Sequence, residues 1–239
     1  MKCVILCGGY ATRLYPMTLT KPKALLEVDK KPLVNHIIES IPDEIKEIYI
    51  VTNDKFYNDF VWWLQKQPFK DRVEILNDGT NTNETSLGGI GDLWFAINEK
   101  EINEDILVIL GDNYFNFYLD EVIDFFNKFK KCVVALFDVK SLEEAKKFGV
   151  IEVENNKVVS FEEKPGNPKS TLISTGIYVF SKEEIVKIGK YIESHKPKDG
   201  PGFLVKDFSE KDEVYGILLK GFWFDIGDIK TYNEVNGIK

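Results

Sequence analysis

Residues 3–13 read Cys3-Val4-Ile5-Leu6-Cys7-Gly8-Gly9-Tyr10-Ala11-Thr12-Arg13, a short apolar run stopped by two glycines. A run of that length bounded by a turn signal reads as a buried strand. The glycines let backbone N–H groups approach a phosphate chain, and Arg13 can fork onto phosphate oxygens. A generic tight turn would use the same glycines. The strand's surroundings decide the architecture. Strand-like runs at 47–52, 73–77 and 106–110 alternate with helical patterns at 33–41, 56–66 and 87–99. Repeated strand-helix order predicts an α/β fold: a doubly wound, mainly parallel mixed sheet flanked by helices. Ligands of such sheets bind beyond the carboxyl ends of the strands, so the loops after Cys7, Asn77 and Leu110 should face one cleft.

The second half is less regular. It reads as a helix at 120–129, a strand at 132–139, a short helix at 141–148 and a hairpin at 149–163 turning at Glu154-Asn155-Asn156-Lys157. A strand at 174–181, a helix at 181–192, a loop at 195–202 and a late strand at 214–219 complete it. No fixed-period repeat interrupts this order, and residues 1–239 are expected to form one domain.

With 239 residues, 44% hydrophobic side chains and a net charge of −8, the chain can bury a sizeable core but lacks the broad basic face of polyanion binders. Neither nucleic acid nor a membrane is expected as a partner. The cations Arg13, Lys21 and Lys23 nonetheless crowd one loop, which suits a small anion. No apolar stretch is long enough to span a bilayer and the N-terminus lacks a signal-peptide pattern, so a cytoplasmic protein is expected. Cys3, Cys7 and Cys132 lie in strand-like runs and read as buried thiols; His36 and His195 are too few and too far apart for a metal site.

Two nucleotide motifs fail on spacing. A dinucleotide fingerprint needs a third glycine opening a helix where Leu14-Tyr15-Pro16 stands, and a Walker A loop needs Gly-Lys-Ser/Thr. Instead, the glycine loop is followed by Thr20-Lys21-Pro22-Lys23, where Pro22 fixes the backbone beside two point charges.

Residues 7–34, CGGYATRLYPMTLTKPKALLEVDKKPLV, closely resemble the sugar-phosphate nucleotidyltransferases, particularly glucose-1-phosphate thymidylyltransferases and mannose-1-phosphate guanylyltransferases. The resemblance continues in order through ILGDN at 109–113, FEEKP at 161–165, STGIYVF at 174–180 and FWFDIGD at 222–228. It implies the Rossmann-like nucleotide-diphospho-sugar transferase fold. The implied reaction is attack by a sugar 1-phosphate on the α-phosphorus of a nucleoside triphosphate, giving a nucleotide sugar and pyrophosphate. The cofactor implied is Mg²⁺.

Carried over position by position, the resemblance makes Arg13, Lys23, Asp112 and Lys164 catalytic. It assigns Leu6, Gly8, Gly9, Ala11, Thr12, Arg13, Lys23, Leu87, Gly88 and Asp112 to the nucleotide. Gly149, Glu163, Lys164, Thr175 and Gly176 would meet the sugar phosphate, and Asp112 with Asp225 would hold the metal. Blander readings stand beside these. Gly111-Asp112-Asn113 could be a turn with a cap, Asp225 could bond local backbone, Lys164 could be an exposed turn charge, and Tyr178 could be a core aromatic as readily as a residue near the sugar.

The pattern also departs from the family. Ala11 replaces a usual glycine, so it must take ordinary dihedrals or accept strain. Ala24 stands where thymidylyltransferases carry a base-reading Gln, and residues 81–89 replace their Gln-Pro-Ser-Pro segment. The expected substrates are glucose 1-phosphate with dTTP or UTP. The alternatives are GTP with mannose 1-phosphate, or a non-catalytic nucleotide-sugar-binding regulator. A glycosyltransferase would carry Asp-x-Asp where Gly111-Asp112-Asn113 stands. The chain ends soon after FWFDIGD, so the expectation is a catalytic domain without a C-terminal β-helix; homo-oligomerisation is left open.

Overall fold

A computed structural model describes residues 1–194 and 200–238. The first half runs β1 (Lys2–Leu6), a small hairpin of β2 (Glu27–Val28) and β3 (Lys31–Pro32), α1 (Leu33–Ser40), β4 (Ile48–Thr52), α2 (Tyr57–Leu64), β5 (Val73–Asn77), α3 (Gly88–Glu99) and β6 (Ile106–Leu110). The second half runs β7 (Asn113–Phe115), α4 (Leu119–Phe129), β8 (Val133–Asp138), α5 (Leu142–Ala145), β9 (Gly149–Glu154), β10 (Lys157–Glu163) and β11 (Leu172–Phe180). It closes with α6 (Lys182–Ser194), α7 (Gly202–Lys211), β12 (Tyr215–Leu218), β13 (Trp223–Asp225) and α8 (Ile229–Val235).

Nine strands form one sheet in the order β5-β4-β1-β6-β11-β8-β12-β10-β9. The parallel pairings β5/β4, β4/β1 and β1/β6 are those that strand-helix alternation requires. Only β10 and β11 run against the other strands, so the sheet is mixed but mainly parallel in direction. The chain lays β4 on one side of β1 and β6 on the other. That reversal opens a crevice beyond the carboxyl end of β1.

Side chains of a strand alternate between faces, and here both faces are apolar. Ile5, Ile48 and Ile50 face α1, α2 and α4 through Ile37, Phe60 and Phe126, whereas Val4, Val51 and Ile106 face α3, α6 and α7 through Leu93, Ile188 and Phe208. Two helical layers thus sandwich the sheet, and each fully buried Ile or Phe contributes about 1.5–3 kcal/mol. The buried thiols Cys3, Cys7 and Cys132 belong to these layers.

The 149–163 hairpin turns where expected: Asn155 (φ 50°) and Asn156 (φ 66°) adopt the left-handed pair that joins twisted strands. The 195–202 reading needs correction at its end. Residues 195–199, including His195, lie outside the described residues, but Gly202 opens α7. Pro201 caused the misreading: a proline that breaks a helix interior is well placed at a helix start, where its φ of −57° is already helical. No helix among the described residues is long and apolar enough to cross a membrane.

Candidate active site

Beyond β1 the chain passes Gly8, Gly9 and Tyr10 and enters a 3₁₀ turn at Thr12–Leu14, anchored by fully buried Leu14. Ala11 adopts φ 47° and ψ 47°, a left-handed conformation held by Thr18 Oγ1 donating to its carbonyl at 2.8 Å. Of the two outcomes open to Ala11, the loop takes the strained one, at about 1–2 kcal/mol. Of the three loop cations, Arg13 lines the central cavity, Lys23 turns toward Asp112, and exposed Lys21 lines neither.

Lys23 begins a second 3₁₀ turn after Pro22, and its Nζ lies 2.9 Å from Asp112 Oδ2. Asp112 follows β6 and is joined to Asp225 by the two-stranded β7/β13 sheet. There Asn113 pairs with Asp225, Ile226 N donates to Asp112 O at 2.9 Å, and Trp223 Nε1 donates to Asn113 Oδ1 at 2.6 Å. Burial, then the Asp112 carboxylate, pushes Asp225 up to about 6 against the pull of Lys23, Arg13 and Lys164. Its Oδ1 is buried without a hydrogen-bond partner among the described residues. A cap or local backbone bond therefore does not account for Asp225.

A cavity of about 690 Å³ gathers Arg13, Asp112 and Asp225 with Gly149, Glu163, Lys164, Thr175 and Gly176. Gly149 and Glu163 face each other across the β9/β10 hairpin. Lys164 turns off β10 with φ 46°; its N–H donates to Phe148 O at 3.0 Å, and Nζ lies 3.6 Å from Glu163 Oε1. The Thr175 hydroxyl donates to Ala135 O at 2.9 Å, so its polar side chain is engaged within the sheet. Gly176 sits in a bulge of β11 at φ +80°, where a Cβ would lie 2.7 Å from Leu110 Cδ1. Tyr178 is buried, with its hydroxyl accepting from Ser174 Oγ at 3.0 Å, yet it also lines the cavity, so both readings of it hold in part.

The remaining nucleotide candidates, Leu6, Gly8, Gly9, Ala11, Thr12, Leu87 and Gly88, lie outside that lining. Gly8 is instead packed toward α3: a Cβ there would lie 2.4 Å from Asp92 Oδ2, one turn after Gly88. Sequence reasoning missed Asp92 and its neighbour Asp78, because Asn77-Asp78-Gly79 reads as a turn and a lone Asp in a helix reads as solvated. It also missed Asp228 and Lys230 in the cavity wall; Asp228 accepts from Thr231 N at 2.9 Å and caps α8. His36 is structural as expected, its Nε2 2.7 Å from Val28 O and its ring edge-on to Tyr114.

Asp92 is 5% exposed, and burial followed by the Asp78 carboxyl pushes it up to about 8. A raised carboxyl pKa stabilises the fold below the unfolded value near 4, and that stability is lost as pH rises through 8. Asp92→Asn should therefore reduce a loss of stability on the order of 4 kcal/mol between pH 4 and 8. Denaturant melts at both pH values measure this; a variant as pH-sensitive as the parent would contradict it.

The nucleotidyl transferase family profile matches residues 2–238. The chain is 33% identical, over 99% of its length, to a Sulfolobus acidocaldarius protein provisionally named mannose-1-phosphate guanyltransferase. It is 31% identical, over 95%, to the bifunctional protein GlmU of Methanocaldococcus jannaschii. It spans 62% and 51% of those two relatives. A Bacillus anthracis structure, provisionally named glucose-1-phosphate thymidylyltransferase and solved with a sucrose, superimposes with a TM-score of 0.86 at 27% identity, covering 100% of this chain and 94% of that one. A UDP-glucose pyrophosphorylase shares the fold at a TM-score of 0.79 and 20% identity, covering 99% of this chain and 97% of its own. The glycine loop, the paired aspartates and the hairpin lysine thus sit on a scaffold matched along its whole length, and the chain belongs to the nucleotidyl transferase family, among the sugar-phosphate nucleotidyltransferases.

Proposed function

We propose that the chain joins a nucleoside triphosphate to a hexose 1-phosphate, forming a nucleoside diphosphate hexose and pyrophosphate. The observation that carries this reading is the convergence of Arg13, Asp112, Lys164 and Asp225 on one cavity, with Lys23 against Asp112. A phosphate oxygen of the sugar phosphate attacks the α-phosphorus, and the bond to the β-phosphate bridging oxygen breaks as pyrophosphate departs with the electron pair. No enzyme nucleophile is needed. The protein must align two anions and balance charge around the transferred phosphorus. Arg13 and Lys23, from the nucleotide-binding half, hold the departing pyrophosphate. Lys164 holds the phosphate of the sugar, and Glu163 accepts from its hydroxyls.

Asp112 and Asp225 suit Mg²⁺. Asp225 Oδ1 is a buried hard oxygen with no partner among the described residues, and it lies beside a second carboxylate. Among those residues no group of three or more acidic, His or Cys side chains could hold a metal. Two carboxylates supplemented by water and substrate phosphates are the ligand set Mg²⁺ ordinarily accepts. When bound, the ion neutralises charge on the phosphate oxygens. A non-catalytic sensor would have no need of the buried Asp225 carboxylate, which favours the enzyme.

Two substrate pairs follow. Glucose 1-phosphate with dTTP or UTP is supported by the Bacillus anthracis neighbour. GTP with mannose 1-phosphate is supported by the Sulfolobus acidocaldarius relative and by Ala24, which is 3% exposed and offers a pyrimidine no side-chain polar group. Pyrophosphate release across the common triphosphates with glucose and mannose 1-phosphates, with Mg²⁺, tests the proposal. Release that requires both substrates is expected; none with any pair would overturn it.

A further inference from the structure

Asn53 follows β4 directly, is fully buried and lies outside the lining of the active cavity. The parallel register that sets Val51 beside Leu6, carried two residues further, sets Asn53 beside Gly8. Its side-chain amide spans two backbone groups there: Nδ2 donates to Gly8 O at 2.9 Å, and Oδ1 accepts from Phe56 N at 3.1 Å. A backbone N–H can only donate, so Phe56 fixes which end of the Asn53 amide is oxygen and leaves its nitrogen facing Gly8. The bond to Phe56 serves the local turn. The bond to Gly8 reaches 45 residues back, into the glycine loop.

That second bond decides how the loop meets a phosphate. The Gly8–Gly9 peptide is trans, so its C=O and N–H point opposite ways. A carbonyl turned inward to Asn53 therefore turns the Gly9 N–H outward. Gly9 is exposed, and no atom lies within 4 Å of where its Cβ would stand. Cys7 N donates to Val51 O and Leu14 N to Ala11 O, but between them no backbone N–H has a hydrogen-bond partner among the described residues. With no Cβ on either side, the Gly8–Gly9 peptide is free to turn over at little steric cost, and its carbonyl would then face the phosphates. We propose that Asn53 is a positioning residue that locks this peptide, carbonyl inward and N–H outward, so that the Gly9 N–H donates to the departing pyrophosphate part of the triphosphate.

This inference rests on the nucleotidyl-transfer reading, and the experiment keeps the two apart. Binding of inorganic pyrophosphate with Mg²⁺ is measured by calorimetry, and KM for each substrate by pyrophosphate release, for the parent, Asn53→Asp and Asn53→Ala. The aspartate keeps the side-chain volume and the acceptor for Phe56 N, but when ionised it has no donor for Gly8 O. The alanine removes both groups, while Phe56 N keeps its bond to the carbonyl of residue 53 at 3.2 Å. Both variants should weaken pyrophosphate binding and raise KM for the triphosphate about 10–100-fold, with KM for the hexose 1-phosphate unchanged. A turn-stabilising role alone would lower the folded fraction, and with it kcat, while leaving those constants as they are. Unchanged pyrophosphate affinity in a folded variant, or an equal rise in KM for both substrates, would overturn the inference. If neither variant folds, the parent decides: pyrophosphate with Mg²⁺ should slow hydrogen exchange at the Gly9 amide by about 10-fold or more, and unslowed exchange would overturn the inference. A parent that binds pyrophosphate but releases none from any substrate pair would instead sink the nucleotidyl-transfer reading.

Discussion

Asp225→Asn is expected to lower kcat/KM by about 100-fold or more while leaving the fold no weaker. The substitution keeps the side-chain volume but removes the charge of a carboxyl whose buried Oδ1 has no hydrogen-bond partner among the described residues. Its effect on stability follows from the direction of the pKa shift. The folded value, pushed to about 6, lies above the ordinary carboxylate value. Stability from this carboxyl is therefore full below about pH 4 and is lost as pH rises through about 6. Asparagine should remove that loss, so in protein stripped of metal by EDTA the variant should melt at or above the parent temperature at pH 8. Near-normal turnover would contradict the assigned role. A large fall in melting temperature would show that Asp225 is a structural residue.

Lys23→Ala should cost on the order of 1,000-fold in kcat/KM with little change in folding stability. The lysine lies 2.9 Å from Asp112 Oδ2 and opposes the rise in the Asp225 pKa, so its loss leaves two carboxylates facing an incoming polyanion. Its side chain is 20% exposed and that of Asp112 26%, and pairs this accessible contribute roughly 0–1 kcal/mol to the fold. Steady-state kinetics beside a thermal melt separate the two effects. A variant that loses stability in step with activity would mark the pair as a structural brace.

The parallel half of the fold was legible because buried strands leave short apolar runs and amphipathic helices leave a 3.6-residue period. Val73–Asn77 and Ile106–Leu110 fall on the expected residues. Asp112 and Asp225 were legible only through motif resemblance. The strands that join them, Asn113–Phe115 and Trp223–Asp225, are too short to carry any period. α7 was missed because Pro201 and Gly202 signal a loop locally, whereas Leu204, Val205 and Phe208 commit the segment to the core. Ala11 shows tertiary context overriding preference: Leu14 and Thr18 hold the loop in a conformation alanine disfavours. The contact between Asp78 and Asp92 could not be read at all, since the two come from separate elements, the turn after β5 and helix α3.

Hexose 1-phosphate carrying ¹⁸O in its non-bridging phosphate oxygens gives the most direct measurement of nucleotidyl transfer. Mass spectrometry after reaction with an unlabelled triphosphate and Mg²⁺ should find all the label in the nucleoside diphosphate hexose and none in the released pyrophosphate, because the labelled oxygen is the nucleophile at the α-phosphorus. Labelled inorganic phosphate, released by cleavage of the bond between the sugar carbon and its phosphate oxygen, would contradict the account.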